Sequence, residues 1–246
     1  MKPRTVAGAV CSAARRAALV GFTLGLAGVS AAAGAATPKT AAGEPGLRFE
    51  QVFSDDGEPP ALHYRADYGA NHGANHGAAG APHRLEVWRD GGRRLVRRTD
   101  GVIETHVAHR PGDPDFQLVV LDLQRKIETR IARDDLYRIG NFTDWFDLAH
   151  GLRHPRAAYR LTVSAAPAHA PKPLQACNWY TLAQGGHSTR LCWSAAARLP
   201  LLMLDDSGQV LWQVTALDSK PAAAAVFEVH DIGFVHNDAS QDISND

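Results

Sequence analysis

The stretch His83–Val107, HRLEVWRDGGRRLVRRTDGVIETHV, carries alternating runs broken by two tight-turn signals. Leu85 and Val87 alternate with Arg84, Glu86 and Trp88. Asp90-Gly91-Gly92 then marks one reversal and Asp100-Gly101 a second, after which Ile103, Thr105 and Val107 resume the pattern. A period of two sends successive side chains to opposite faces of a strand, and Asp-Gly pairs favour the positive-φ turns of hairpins. The stretch therefore reads as consecutive antiparallel strands.

The same rhythm extends in both directions. Upstream, Leu62, Tyr64, Ala66 and Tyr68 alternate with His63, Arg65 and Asp67; downstream, Phe116–Leu123 and Ile127–Ile131 pair across the polar turn Gln124-Arg125-Lys126. Strand signals return at Tyr159, Leu161 and Val163, and continue through Asn178–Leu182, Thr189–Trp193, Leu201–Leu204 and Val210–Leu217, with Phe227–Val229 as a closing element. Between Asp134 and His154 the period becomes helical. Leu136, Tyr137 and Ile139 suit a short turn, and Asn141 suits the cap of a helix carrying Phe142, Trp145, Phe146 and Ala149. The fold class is mainly β with one or two helices: a strongly curved antiparallel meander, a half-barrel, with a helix over its concave face.

Residues 1–36 read as a signal peptide. Lys2, Arg4, Arg15 and Arg16 precede an apolar run over 17–35 that ends in the small-residue site Ala33-Gly34-Ala35. The alternative is an uncleaved anchor. Cys11 lies ahead of the apolar run, where a lipid-modified cysteine would not sit. Removing the leader turns a balanced chain of 26 basic and 26 acidic residues mildly acidic. Such a domain has no electrostatic pull toward nucleic acid or anionic lipid. Residues 37–46 form a linker, 47–236 a single domain, and the acidic 237–246 a fraying tail. Residues 69–82 form a His/Gly-rich loop insert with no side chain to pack.

The mature part keeps two cysteines, Cys177 and Cys192. The Gly185-Gly186 turn between them can bring them together as one disulfide, the expected state in an oxidising compartment. A metal or redox pair would have closer spacing.

The C-terminal third places Cys177-Asn178-Trp179-Tyr180 before Arg190-Leu191-Cys192-Trp193-Ser194. Arg198-Leu199-Pro200-Leu201-Leu202-Met203, the strand Val210-Leu211-Trp212-Gln213-Val214 and Val226-Phe227-Glu228-Val229 follow. This order resembles the closing strands of the bacterial outer-membrane lipoprotein-sorting carriers (LolA/LolB-like) and related periplasmic half-barrels, over about residues 60–235. The resemblance implies a groove for an acyl chain or hydrophobic peptide, with Phe142, Trp145 and Phe146 at its cover.

No nucleophile elbow, zinc-protease motif, phosphate-binding glycine loop or haem motif occurs, so the sequence carries no catalytic signature and calls for no cofactor. His72, His76 and His83 can gather a borderline cation, or can simply belong to a solvated loop. His150 and His154 share one helix face, but Gly151 and Pro155 argue that the helix ends there, where histidine suits the helix dipole. Most of the five tryptophans suit the core. Arg93, Arg94, Arg97 and Arg98 make a basic hairpin, read as a solvated face or as a dock for an acidic partner. Three functions follow: a periplasmic carrier or binding protein for lipid or a hydrophobic segment; an envelope interaction module with a filled core; and a metal-binding protein.

Overall fold

The computed structural model describes residues 46–69, 81–109, 116–138, 144–168, 170, 174 and 177–239. Within them one twelve-stranded sheet runs from β1 (Leu62–Tyr68) and β2 (His83–Asp90) through β3 (Arg94–Thr99), β4 (Ile103–His109), β5 (Phe116–Asp122) and β6 (Ile127–Ile131). After the short helices α2 (Arg133–Arg138) and α3 (Trp145–His150) come β7 (Tyr159–Val163), β8 (Asn178–Gln184), β9 (His187–Ser194), β10 (Leu199–Leu204), β11 (Val210–Asp218) and β12 (Val235–Asp238). A single-turn helix, α1 (Phe49–Val52), precedes β1.

The sheet is two meanders fused at their middle. The spatial order is β12-β6-β5-β4-β3-β2-β1-β11-β10-β9-β8-β7. β1 to β6 step outward from the centre, and β7 to β11 step inward from the far edge until β11 lies against β1, Tyr64 opposite Leu217. All pairs are antiparallel except β12, which adds parallel to β6. The ends, β7 and β12, are not paired with each other, so the half-barrel stays open.

The alternation read from the sequence fixes the faces. Leu62, Tyr64, Ala66, Leu85 and Val87 are buried on the concave side with Leu199 and Trp212. Leu95, Val107, Phe116 and Leu118 continue that side under α3, and Phe49, Phe53, Leu161, Leu191 and Trp193 complete it at the other end. On the convex side of the β8–β10 half, Trp179, Cys192, Leu202 and Ala170 form a separate small core. The Cys177–Cys192 disulfide ties that core together, with Cα atoms 5.3 Å apart.

Two expectations need correction. Val226-Phe227-Glu228-Val229 is not a closing strand: Ala224–Phe227 is a 3-10 turn. It belongs to a strap that leaves β11 and packs on the convex face of β3, Phe227 lying 4.4 Å beneath the Arg94 guanidinium. Four Ala and one Val ahead of Phe227 give it no alternating face to share with a ladder. The closing strand is β12, so Asn237 and Asp238, read as the start of a fraying tail, pair with Thr129 and Arg130. The second correction is the helix cap. α3 begins after Asp144, whose side chain accepts the Asp147 N–H at 2.7 Å, while Asn141 and Ile139 lie outside the described residues. Asp is as good an acceptor as Asn at this position.

Candidate functional site: the plug on the concave face

α3 has no solvent side. All six of its residues, Trp145, Phe146, Asp147, Leu148, Ala149 and His150, are buried. Trp145 packs with Leu95, Val107, Phe116 and Leu118, its ring 4.5 Å from that of His109. Phe146 joins Phe49 and Trp193, with Phe49 edge-on at 5.8 Å. Phe53 extends the aromatic row to Tyr180 and Trp193 at 5.3 and 4.9 Å. The concave face is therefore covered from within the chain, by α3 and by the segment ahead of β1.

A six-residue helix leaves most of its carbonyls without partners of its own. The sheet supplies them. Tyr64 Oη and Arg89 Nη1 donate to the Ala149 carbonyl at 3.3 and 3.2 Å, and Arg97 Nη1 reaches the Leu148 carbonyl at 3.4 Å. Arg89 Nη2 donates to the Ala197 carbonyl at 2.8 Å. Gly151 then ends the helix in the left-handed region, φ 64°.

Around Arg89 sits a buried ionic cluster. Glu58 Oε1 lies 3.7 Å from Arg89 Nη1, and His150, fully buried, places Nε2 2.8 Å from Asp55 Oδ1 and 2.9 Å from Glu58 Oε1. Its Nδ1 hydrogen-bonds the Arg198 carbonyl. Burial works against charge on this ring and Arg89 repels it, but the Asp55 and Glu58 carboxylates and the Arg198 carbonyl outweigh both, so its pKa is raised. His154 is held from the other side, Nδ1 2.8 Å from Asp144 and 3.5 Å from Asp147. Those two carboxylates raise its pKa to about 10 against a lesser opposing effect of burial. Both histidines thus bind carboxylates and do more than complement a helix end.

The other singled-out residues fall elsewhere. Phe142, His72 and His76 lie outside the described residues. His83 is exposed and meets Asp100 at 2.7 Å. Arg93 and Arg94 share Asp90, and Arg98 pairs with Glu104. The basic hairpin is thus largely engaged within the molecule. Sequence reasoning passed over Arg89, Glu58 and Asp55. Arg89 was within reach: Leu85, Val87 and Arg89 share one face by period two. Glu58 and Asp55 sit in an Asp/Gly/Pro-rich turn with no such signal.

The convex face also carries a groove of about 660 Å³, lined by Arg65, Arg84, Glu86, Arg98, Asp100 and Thr215 among others. At its edge His63 stacks on Trp88 at 5.0 Å, and Arg65 and His63 both meet Glu86 at 2.9 Å.

No known protein family and no curated protein matches the sequence. Among solved structures, the chain is similar to MucB at 16% identity and a TM-score of 0.37, with 73% of this chain and 61% of that one covered. It is also similar to PNGF-II in two crystal forms, at 8% and 6% identity, TM-scores of 0.38 and 0.37, and 75% and 74% of this chain. The chain thus spans less than two thirds of the MucB structure and about a third of PNGF-II. Among the described residues no helix is long and apolar enough to cross a membrane.

Proposed function

We propose that this protein is exported to the bacterial envelope by residues 1–36 and acts there as an interaction module with a filled core. The observation that carries the reading is the burial of Trp145 and Phe146, at 8% and 4% exposure, together with Phe49 and Phe53 across the concave face. An open carrier groove leaves such side chains free for its ligand; here they are spent on the chain's own core. The disulfide supports an oxidising compartment. The partner-facing surface in this reading is the convex groove lined by Arg65, Arg84, Arg98 and Asp100.

Titration of the purified protein with a fluorescent fatty acid, alongside mass spectrometry of its lipid extract, tests this. The expected result is no saturable binding and no stoichiometric lipid. One lipid per chain, released when Trp145 is replaced by Ala, would restore the carrier reading, with α3 as a displaceable lid.

A further inference from the structure

We propose that Asp55, Glu58 and His150 form a binding site for one divalent cation of the zinc class, which would clamp the segment ahead of β1 to the end of α3. The proposal is independent of the interaction-module reading.

The three donor atoms lie within 4.8 Å of one another. His150 Nε2 is 2.8 Å from Asp55 Oδ1 and 2.9 Å from Glu58 Oε1, yet it carries at most one proton. That proton satisfies Asp55. Glu58 is left with both oxygens buried and without a hydrogen bond among the described residues, on a side chain only 6% exposed. A carboxylate so placed is costly, since water no longer solvates it and Arg89, at 3.7 Å, stands beyond hydrogen-bond reach. One proton cannot serve two carboxylates in line; a cation in its place contacts all three donors at once.

The chemistry of the donor set agrees. One imidazole nitrogen and two carboxylate oxygens suit Zn²⁺ at about 2.0–2.2 Å, with a fourth position for water. Asp55 is half exposed, which provides an entry path. The far nitrogen of His150 faces the Arg198 carbonyl, an arrangement that orients a ligating imidazole. Arg89 stands 3.7 Å from Glu58 and makes its shorter contacts to the Ala149 and Ala197 carbonyls and, at 3.0 Å, to His150 Nδ1 on the ring's far side, so it offsets the carboxylate charge without filling the cation's place. Two other His-carboxylate trios lack this opening. Asp144 and Asp147 accept the Asp147 and His154 backbone N–H groups, and Arg130 lies on both Glu128 and Asp231.

The test is calorimetric titration with ZnCl₂ of the whole protein carrying His72→Ala and His76→Ala, which removes the insert as a competing site. One equivalent of zinc is expected to bind. Adding Asp55→Asn, a change at the half-exposed ligand that circular dichroism should show to be folded, is expected to weaken binding by more than the ~10–100-fold that loss of an outer partner costs. X-ray absorption at the zinc edge should show one imidazole among oxygen ligands. Absence of an equivalent in the insert variant, affinity unchanged by Asp55→Asn, or two or more imidazoles at the metal would overturn the proposal.

Discussion

Arg89 occupies a strand position that its neighbours Leu85 and Val87 mark as interior, and its guanidinium makes the polar contacts that let α3 end inside the molecule. Its side chain is 1% exposed and meets Glu58, the Ala149 carbonyl and the Ala197 carbonyl. Removing it takes the nearby guanidinium charge from the buried Glu58, the side-chain donor from the Ala197 carbonyl and one of two donors from the Ala149 carbonyl. Arg89→Ala is therefore expected to lower unfolding free energy by about 3–5 kcal/mol in a urea titration, and a loss under 1 kcal/mol would contradict the arrangement. His154 makes a pH-dependent contribution. Its folded pKa is raised from 6.5 to about 10, so its stabilisation is fully present below pH 6.5 and is lost as pH rises through about 10. The denaturation midpoint of the wild type should fall over that window, and His154→Gln should flatten the fall. Parallel pH profiles for the two proteins would exclude the ion pair. On the acid side, the His106 and Arg98 contacts that depress Glu104 are lost as pH falls through its lowered pKa.

At the scale of elements, α3 shows what a sequence can reveal and what it cannot. The helical period of Trp145, Phe146 and Ala149 was legible, and so was its stop: Gly151 adopts φ 64°, as the Gly and Pro signals imply. The start was displaced because Asn141 and Asp144 are equally good caps by residue type, and only tertiary contact with His154 distinguishes Asp144. Gly151 is fixed twice over, since a Cβ built there would stand 2.5 Å from the Trp212 ring. Gly151→Ala should cost about 1–2 kcal/mol for the left-handed backbone and about 1–3 kcal/mol for overpacking against Trp212. Thermal unfolding checks this, and an unchanged midpoint would refute it. The strap was illegible for a different reason. Phe227 and Phe234 each lie under a cation, Arg94 and Lys126, at 4.4 and 4.8 Å. Isolated aromatics among Ala, Gly and Asp leave no period to read.

For the whole molecule, alternation predicts the strands of both meanders because each residue's face depends only on its neighbours. It does not predict that β11 returns to β1, a contact between residues about 150 apart with no local signature. The same limit applies to the buried charges. Glu104, His106 and Glu128 stand on the convex side, where alternation alone predicts solvent; each is nearly inaccessible, and His236 of the returning C-terminal segment reaches Glu128 directly. The half-barrel is thus covered on both sides by its own chain: the α3 plug and the Phe49–Phe53 segment within, and the C-terminal strap outside.

Hydrogen–deuterium exchange of the purified protein, read peptide by peptide, tests the filled concave face most directly. If the plug is part of the core, amides over 49–53 and 145–150 should exchange as slowly as those of β1 and β2, and in the same cooperative opening. Rapid exchange of those two segments beside a protected sheet would mean the concave face opens to solvent in the native state, and the account would be wrong.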